Sequence, residues 1–180
     1  YEIRNCDWSS DVCSSDLSGG VSPVYLAAAS EMGTVIAQRG ISLVYGGGAT
    51  GLMGAIADAA LENGGEVIGV TIDQFNSNEI GHRNLTKLHV MDNIQARKAK
   101  MHALADGIIA LPGGLGTMDE LLEGLTWAQL GYHSKPVGLL NTKNYFDPLV
   151  EMLDQAQLEG FLYASKADML IRDKIGRAHV

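Results

Sequence analysis

The chain has 180 residues, with 13 Lys and Arg against 21 Asp and Glu and a formal net charge of −8. An acidic chain without a basic run is a poor binder of nucleic acid or of an anionic membrane surface, and no apolar stretch approaches the roughly 18 residues of a membrane span. One domain with a proper core is expected at this length.

The two ends are best read as translated DNA. GAC GTG TGC TCT TCC GAT CTN encodes Asp11-Val-Cys-Ser-Ser-Asp-Leu17, and its reverse complement encodes Lys174-Ile-Gly-Arg-Ala-His-Val180. The element resembles a sequencing-library adapter, and Tyr1–Ile3 and Cys6–Ser10 look like its upstream part. Residues 1–17 and 174–180 are therefore set aside as adapter-like, and 18–173 are read as the native segment. Both cysteines, Cys6 and Cys13, fall in the excluded part, so the native segment carries none, which fits a reducing cytoplasm.

From Ser22 onward, short apolar runs alternate with helical patterns, the mark of an α/β fold with a parallel sheet. Ser22-Pro23 predicts an N-cap followed by proline at N1, and Gly40 closes that helix. Strands are predicted at Ile41–Tyr45, Glu66–Thr71, Thr86–Val90, Gly107–Leu111 and Pro136–Leu140. Helices are predicted at Gly51–Asn63, Ile94–Ala105, Gly116–Leu130 and Tyr145–Leu158, and 72–84 as a loop over the sheet edge. The expected architecture is a Rossmann-like doubly wound sheet in a single domain. Such a sheet opens with a central strand before its first helix, yet only adapter-like residues precede Ser22. The native first strand and the C-terminal end are expected to be missing. The alternative, that Asp11–Leu17 pairs as a makeshift strand, conflicts with the near-continuous apolar character of buried parallel strands.

Two glycine loops follow strands and open helices. Pro112-Gly-Gly-Leu-Gly-Thr-Met-Asp-Glu120 places glycines where backbone can approach a ligand, and helix N–H groups where an anion is favoured. Side chains tilt toward the helix N-terminus, so the Glu120 carboxylate can lean back over a bound group. Thr117-x-x-Glu120 also fits a capping box, in which the two residues satisfy each other's backbone donors. A cap alone has no need of Gly113, Gly114 and Gly116 together. The second loop, Gly46-x-Gly48-x-x-Gly51 with Asp73 about twenty residues on, is the dinucleotide fingerprint in weak form or a tight turn. It is no P-loop, because Leu52 stands where lysine is needed. Gly46, Gly47, Gly48 and Gly113 are the phosphate-loop candidates.

Arg97, Lys98 and Lys100 begin the helix after the Thr86–Val90 strand. They form either a solvated basic face or, at the sheet edge where ligands bind, a complement to phosphate that Arg97 could clamp bidentately. His82, His89, His102 and His133 have no ligand-pair spacing, so no metal is expected. Trp127 reads as core.

Pro112-Gly-Gly-x-Gly-Thr-x-x-Glu120, preceded by Arg97-Lys98, resembles the Lonely Guy (LOG) family of cytokinin riboside 5′-monophosphate phosphoribohydrolases. The similarity runs through Ser22–Tyr25, Val44–Gly48, Gly51–Gly54, Glu79–His82, Thr126–Gly131 and Lys135–Leu140. Members are often labelled lysine decarboxylases, but no lysine here sits in an identifiable pyridoxal-phosphate context. The resemblance implies hydrolysis of the N-glycosidic bond of N6-substituted adenosine 5′-monophosphates to free base and ribose 5-phosphate, without a cofactor. It implies Arg97 and Glu120 as the catalytic pair. The nucleotide contacts it implies are Glu79, Lys98, Gly114, Leu115, Gly116, Thr117, Met118, Asp119 and Thr126, together with that pair. A homodimer is implied as well. Ile94-Gln95 departs from the Met-His that the family often has before x-Arg-Lys. The rival reading is a carrier that binds a nucleotide or dinucleotide without chemistry. Glu120 separates the two, since a carrier needs no carboxylate beside its phosphate loop.

Overall fold

A computed structural model of the chain describes residues 5–7, 21–75, 81–162 and 170–171. In order they form β1 (Asn5–Asp7), α1 (Pro23–Gln38), β2 (Leu43–Tyr45), α2 (Gly51–Glu62), β3 (Val67–Ile72), β4 (Lys87–Met91), α3 (Ile94–Leu104), β5 (Gly107–Ala110), α4 (Leu115–Leu130), β6 (Val137–Leu139), α5 (Asp147–Leu158) and β7 (Leu170–Ile171). The described strands make one parallel sheet in the order β4-β3-β2-β1-β5-β6-β7. The expected doubly wound architecture is present.

Side chains alternate across the strands and feed one core on each face. Leu43 and Tyr45 of β2 join Ala29, Ile36, Leu52, Ile56 and Ala60 of α1 and α2. Val44, between them, joins Val70, Met101, Ile108, Leu121 and Phe146 on the face of α3, α4 and α5. Strands β2 and β3 are buried throughout, whereas β4 is the exposed edge.

The slot of the first strand, whose native segment is expected to be missing, is nonetheless occupied. The central slot is filled by Asn5–Asp7, whose backbone pairs with β2 on one side and β5 on the other. Backbone donors and acceptors on two flanking parallel strands are indifferent to side-chain identity, so a segment excluded on coding grounds still completes the ladder. The alternative segment Asp11–Leu17 lies outside the described residues. At the other edge β7 pairs with β6, a strand that the short Leu170–Ile171 run did not announce.

The sheet order reverses around β1 and β5, and ligands of such folds bind beyond the carboxyl ends of the strands at that reversal. The turns after β2 and β5, carrying Gly46–Gly48 and Gly113–Gly114, leave the sheet at this edge, as does the turn into α3.

Candidate active site

Arg97 is placed by a well-capped helix. Asn93 precedes α3 and its Oδ1 accepts from the Ala96 N–H at 2.8 Å. One turn in, the Arg97 side chain runs into the sheet edge and is only 3% exposed. Its Nε donates to the Val70 carbonyl at 2.9 Å, and its Nη1 donates to Glu120 Oε1 at 2.8 Å. The third wall is glycine: a Cβ on Gly46 would lie 2.3 Å from Arg97 Nη2. The first glycine loop therefore admits a protein guanidinium.

The rest of that loop is also packed against protein. Gly47, at φ +83°, sits over Thr71 and Leu88, and Gly48 faces the Met53 side chain. The Gly47 carbonyl accepts from His82 N–H at 2.9 Å, and Gly48 bridges to Gly81. His82 is held in turn by Asp58, Nε2 to Oδ1 at 2.9 Å. Asp73, the acidic partner of the dinucleotide fingerprint, is exposed at the end of β3.

The second loop differs. Gly114 is the N-cap residue of α4, and no side chain caps this helix. The capping-box reading is thus overturned: Thr117 lies in the first turn rather than at the cap, because a glycine already occupies that place. Thr117 is fully buried and its Oγ1 has no hydrogen-bond partner. Glu120, three residues on and so on the same helix face, is 3% exposed with Oε2 likewise unpartnered. A Cβ on Gly113 would meet Thr117 Oγ1 at 2.2 Å, so the loop lies directly on that hydroxyl. An unsatisfied buried oxygen costs about 1–3 kcal/mol, and two on one face call for an explanation.

Burial pushes the Glu120 carboxyl up to about 7, although the Arg97 guanidinium beside it opposes the rise. The carboxyl is consequently poised between its two protonation states near neutral pH, the condition for acid–base work.

Lys98 takes a different place from its neighbour. Its Nζ donates to Asp119 Oδ2 at 2.9 Å and to Glu123 Oε2 at 2.7 Å, joining α3 to α4 beside the Arg97–Glu120 pair. Burial works against the charged ammonium, but these two carboxylates prevail and its pKa is raised. Glu123 was absent from the sequence reading, though Asp119 and Glu123 stand at i and i+4 on one helix face.

The remaining predicted residues are scattered in character. Leu115 is exposed, Gly116 and Met118 are half-buried, and Thr126 is exposed with its hydroxyl donating to the Leu122 carbonyl at 2.7 Å. Glu79 lies outside the described residues. Trp127 is half-buried and stacks on His102 with ring centroids 4.5 Å apart, a pairing the sequence did not signal. Burial, then His133 and nearby lysines, hold His102 down at about 4. No cluster of three or more metal-ligating side chains occurs among the described residues.

A family profile described as "Possible lysine decarboxylase" matches residues 53–174. A cytokinin riboside 5′-monophosphate phosphoribohydrolase of Rhodococcoides fascians is 48% identical over 139 residues, which is 77% of this chain and 70% of that protein. A probable cytokinin riboside 5′-monophosphate phosphoribohydrolase of Oryza sativa subsp. japonica is 44% identical over 154 residues, covering 86% of this chain and 69% of the relative. Among solved structures, the molybdenum cofactor carrier protein of Chlamydomonas reinhardtii superposes with a TM-score of 0.66 at 23% identity, covering 96% of this chain and 91% of that one. That last likeness speaks for the fold alone.

Proposed function

This chain belongs to the Lonely Guy (LOG) family of cytokinin riboside 5′-monophosphate phosphoribohydrolases, and from that premise we propose that it hydrolyses the N-glycosidic bond of N6-substituted adenosine 5′-monophosphates. The products are the free base, an active cytokinin, and ribose 5-phosphate. The observation that carries the reading at residue level is the buried Arg97–Glu120 pair with Glu120 Oε2 left open.

In this proposal the 5′-phosphate rests on the N-terminus of α4, at Gly113–Thr117, where free N–H groups and the helix dipole favour an anion. Departure of the base builds oxocarbenium-like charge on the ribose. The Glu120 carboxylate stabilises that charge through Oε2 and orients the attacking water, while Arg97 fixes Oε1 and holds the reacting group in position. Lys98 acts through Asp119 and Glu123 in aligning the two helices. A pyridoxal-phosphate decarboxylase does not fit. Lys98 is the buried lysine among the described residues, and two carboxylates keep it protonated rather than nucleophilic.

The assembly we propose is a homodimer, supported by the apolar stripe that α4 leaves in solvent at Leu115 and Leu122, seven residues apart. We also place the protein in the cytoplasm, on the absence of cysteine from 18–173. No described helix is long and apolar enough to cross a membrane.

Incubation with N6-isopentenyladenosine 5′-monophosphate, its dephosphorylated riboside and AMP, followed by chromatography for free base, tests the reaction. Release from the monophosphates, with the riboside far slower, is expected because phosphate binding positions the ribose. Equal turnover of riboside and monophosphate would remove the phosphate cradle from the account.

A further inference from the structure

The turn between β6 and α5 is built more tightly than a connector requires. Lys143 and Asn144 both lie in the left-handed region, at φ 54° and 59°, although neither is glycine. Such backbone persists only where its surroundings impose it, and it is concentrated near functional sites. The surroundings here are a set of side-chain bonds. Asn141 Oδ1 accepts from the Phe146 N–H at 2.8 Å, while Asn141 Nδ2 donates to Asp147 Oδ1 at 2.7 Å. Phe146 is fully buried and anchors the turn in the core.

This turn presents Tyr145. The ring stands edge-on to Tyr25 of α1, with centroids 6.1 Å apart, and its hydroxyl donates to the Gly113 carbonyl at 2.6 Å. Three chain segments distant in sequence thus meet at the glycine loop ahead of α4. Gly113 and Gly114 lack Cβ atoms, so the peptide between them can rotate at little steric cost. Because the peptide is planar and trans, its C=O and N–H point in opposite directions. A hydroxyl that holds the Gly113 carbonyl also turns the Gly114 N–H away from the tyrosine.

We propose that Tyr145 is a positioning residue for the substrate phosphate: its hydroxyl selects the one orientation of the Gly113–Gly114 peptide in which the loop receives an anion. The inference rests on the reading of this loop as the phosphate site. It deepens that reading, since the affinity for phosphate is set partly by a residue of the β6–α5 turn, outside the loop itself.

Tyr145→Phe keeps the ring against Tyr25 and removes the hydroxyl alone. The expected result is a Kd for ribose 5-phosphate, and a KM for the nucleoside monophosphate, raised about five- to tenfold, the loss of one neutral hydrogen bond. The kcat, the melting temperature and the slow turnover of the unphosphorylated riboside stay at wild-type values. Unchanged Kd and KM would overturn the proposal. A matching fall for riboside and monophosphate, carried by kcat, would also overturn it, because general support of the fold does not distinguish phosphate. If the wild-type protein binds ribose 5-phosphate yet releases no base, the hydrolase reading fails while the Kd comparison still decides the role of Tyr145. If it does not bind ribose 5-phosphate at all, both fail.

Discussion

The two glycine loops look alike in sequence and stand at the same sheet edge, yet the space their glycines leave is filled differently. Around Gly46–Gly48 the missing side chains make room for the protein itself: Arg97 fills the space beside Gly46, Met53 that beside Gly48, and residues 81 and 82 bridge across. Around Gly113–Gly114 protein approaches from below, at Thr117, and from Tyr145, while the N-terminus of α4 carries no side-chain cap. The first loop builds the seat of the Arg97 guanidinium; in our proposal that guanidinium is catalytic and the second loop receives the ligand. A glycine-rich turn is therefore no evidence of a phosphate site until the space its glycines leave has been accounted for.

The comparison can be broken at Arg97. Arg97→Ala empties the first loop's seat and leaves Glu120 buried without its cation, at about 3–5 kcal/mol of stability. Activity should fall below detection in samples shown by circular dichroism to be folded. Lys100→Ala, on a half-buried position of the same helix, should change stability by no more than about 0.5 kcal/mol and leave turnover intact. Equal losses from the two would mean that the guanidinium has no special place.

A gentler change sharpens the same contrast. Gly46→Ala adds one methyl that meets Arg97 Nη2 at 2.3 Å, so the guanidinium must shift from its seat. Displacing a catalytic group by about 1 Å costs roughly a hundredfold in rate. The kcat should drop by that order while ribose 5-phosphate binding, assigned to the other loop, is retained. Loss of binding with preserved kcat would reverse the assignment of the loops.

The pH dependence gives a smaller signal. Burial raises Glu120 from 4.5 to about 7, so if the carboxylate is the working form, kcat/KM climbs as pH rises through about 7. The linked stability runs the other way. A carboxyl with a raised folded pKa contributes stability fully below its unfolded value of 4.5, and that contribution is lost as pH rises through about 7. Lys98 helps to hold Glu120 down, and Asp119 pushes it up. Lys98→Met should therefore move the acid limb of the rate profile to higher pH. A limb that stays in place would disconnect Lys98 from Glu120.

Much of this was legible in the chain. Alternating apolar runs and helical periods specify a doubly wound sheet because a parallel strand must be buried on both faces and its crossover helix on one. The edges of elements shifted by a residue or two where glycine or proline allowed more than one ending, as at Leu115 and Val137. Thr117-x-x-Glu120 was ambiguous because a capping box and a buried polar face share the same spacing; Gly114 at the cap resolved it. The Arg97–Glu120 contact was suggested only by family resemblance, and Lys98–Glu123 and Tyr145–Gly113 were not foreseen. These are pairings across 23 to 32 residues, and no local period encodes them.

The central claim is that Glu120 serves the reaction rather than the helix. Single-turnover release of free base from N6-isopentenyladenosine 5′-monophosphate, compared between wild type and Glu120→Gln, tests it most directly. The amide preserves an acceptor for Arg97 but can neither carry the negative charge nor accept a proton. The account predicts a rate lowered by about 10²–10⁴ with ribose 5-phosphate binding preserved in the folded variant. A variant that melts earlier yet turns over at the wild-type rate while folded would contradict it.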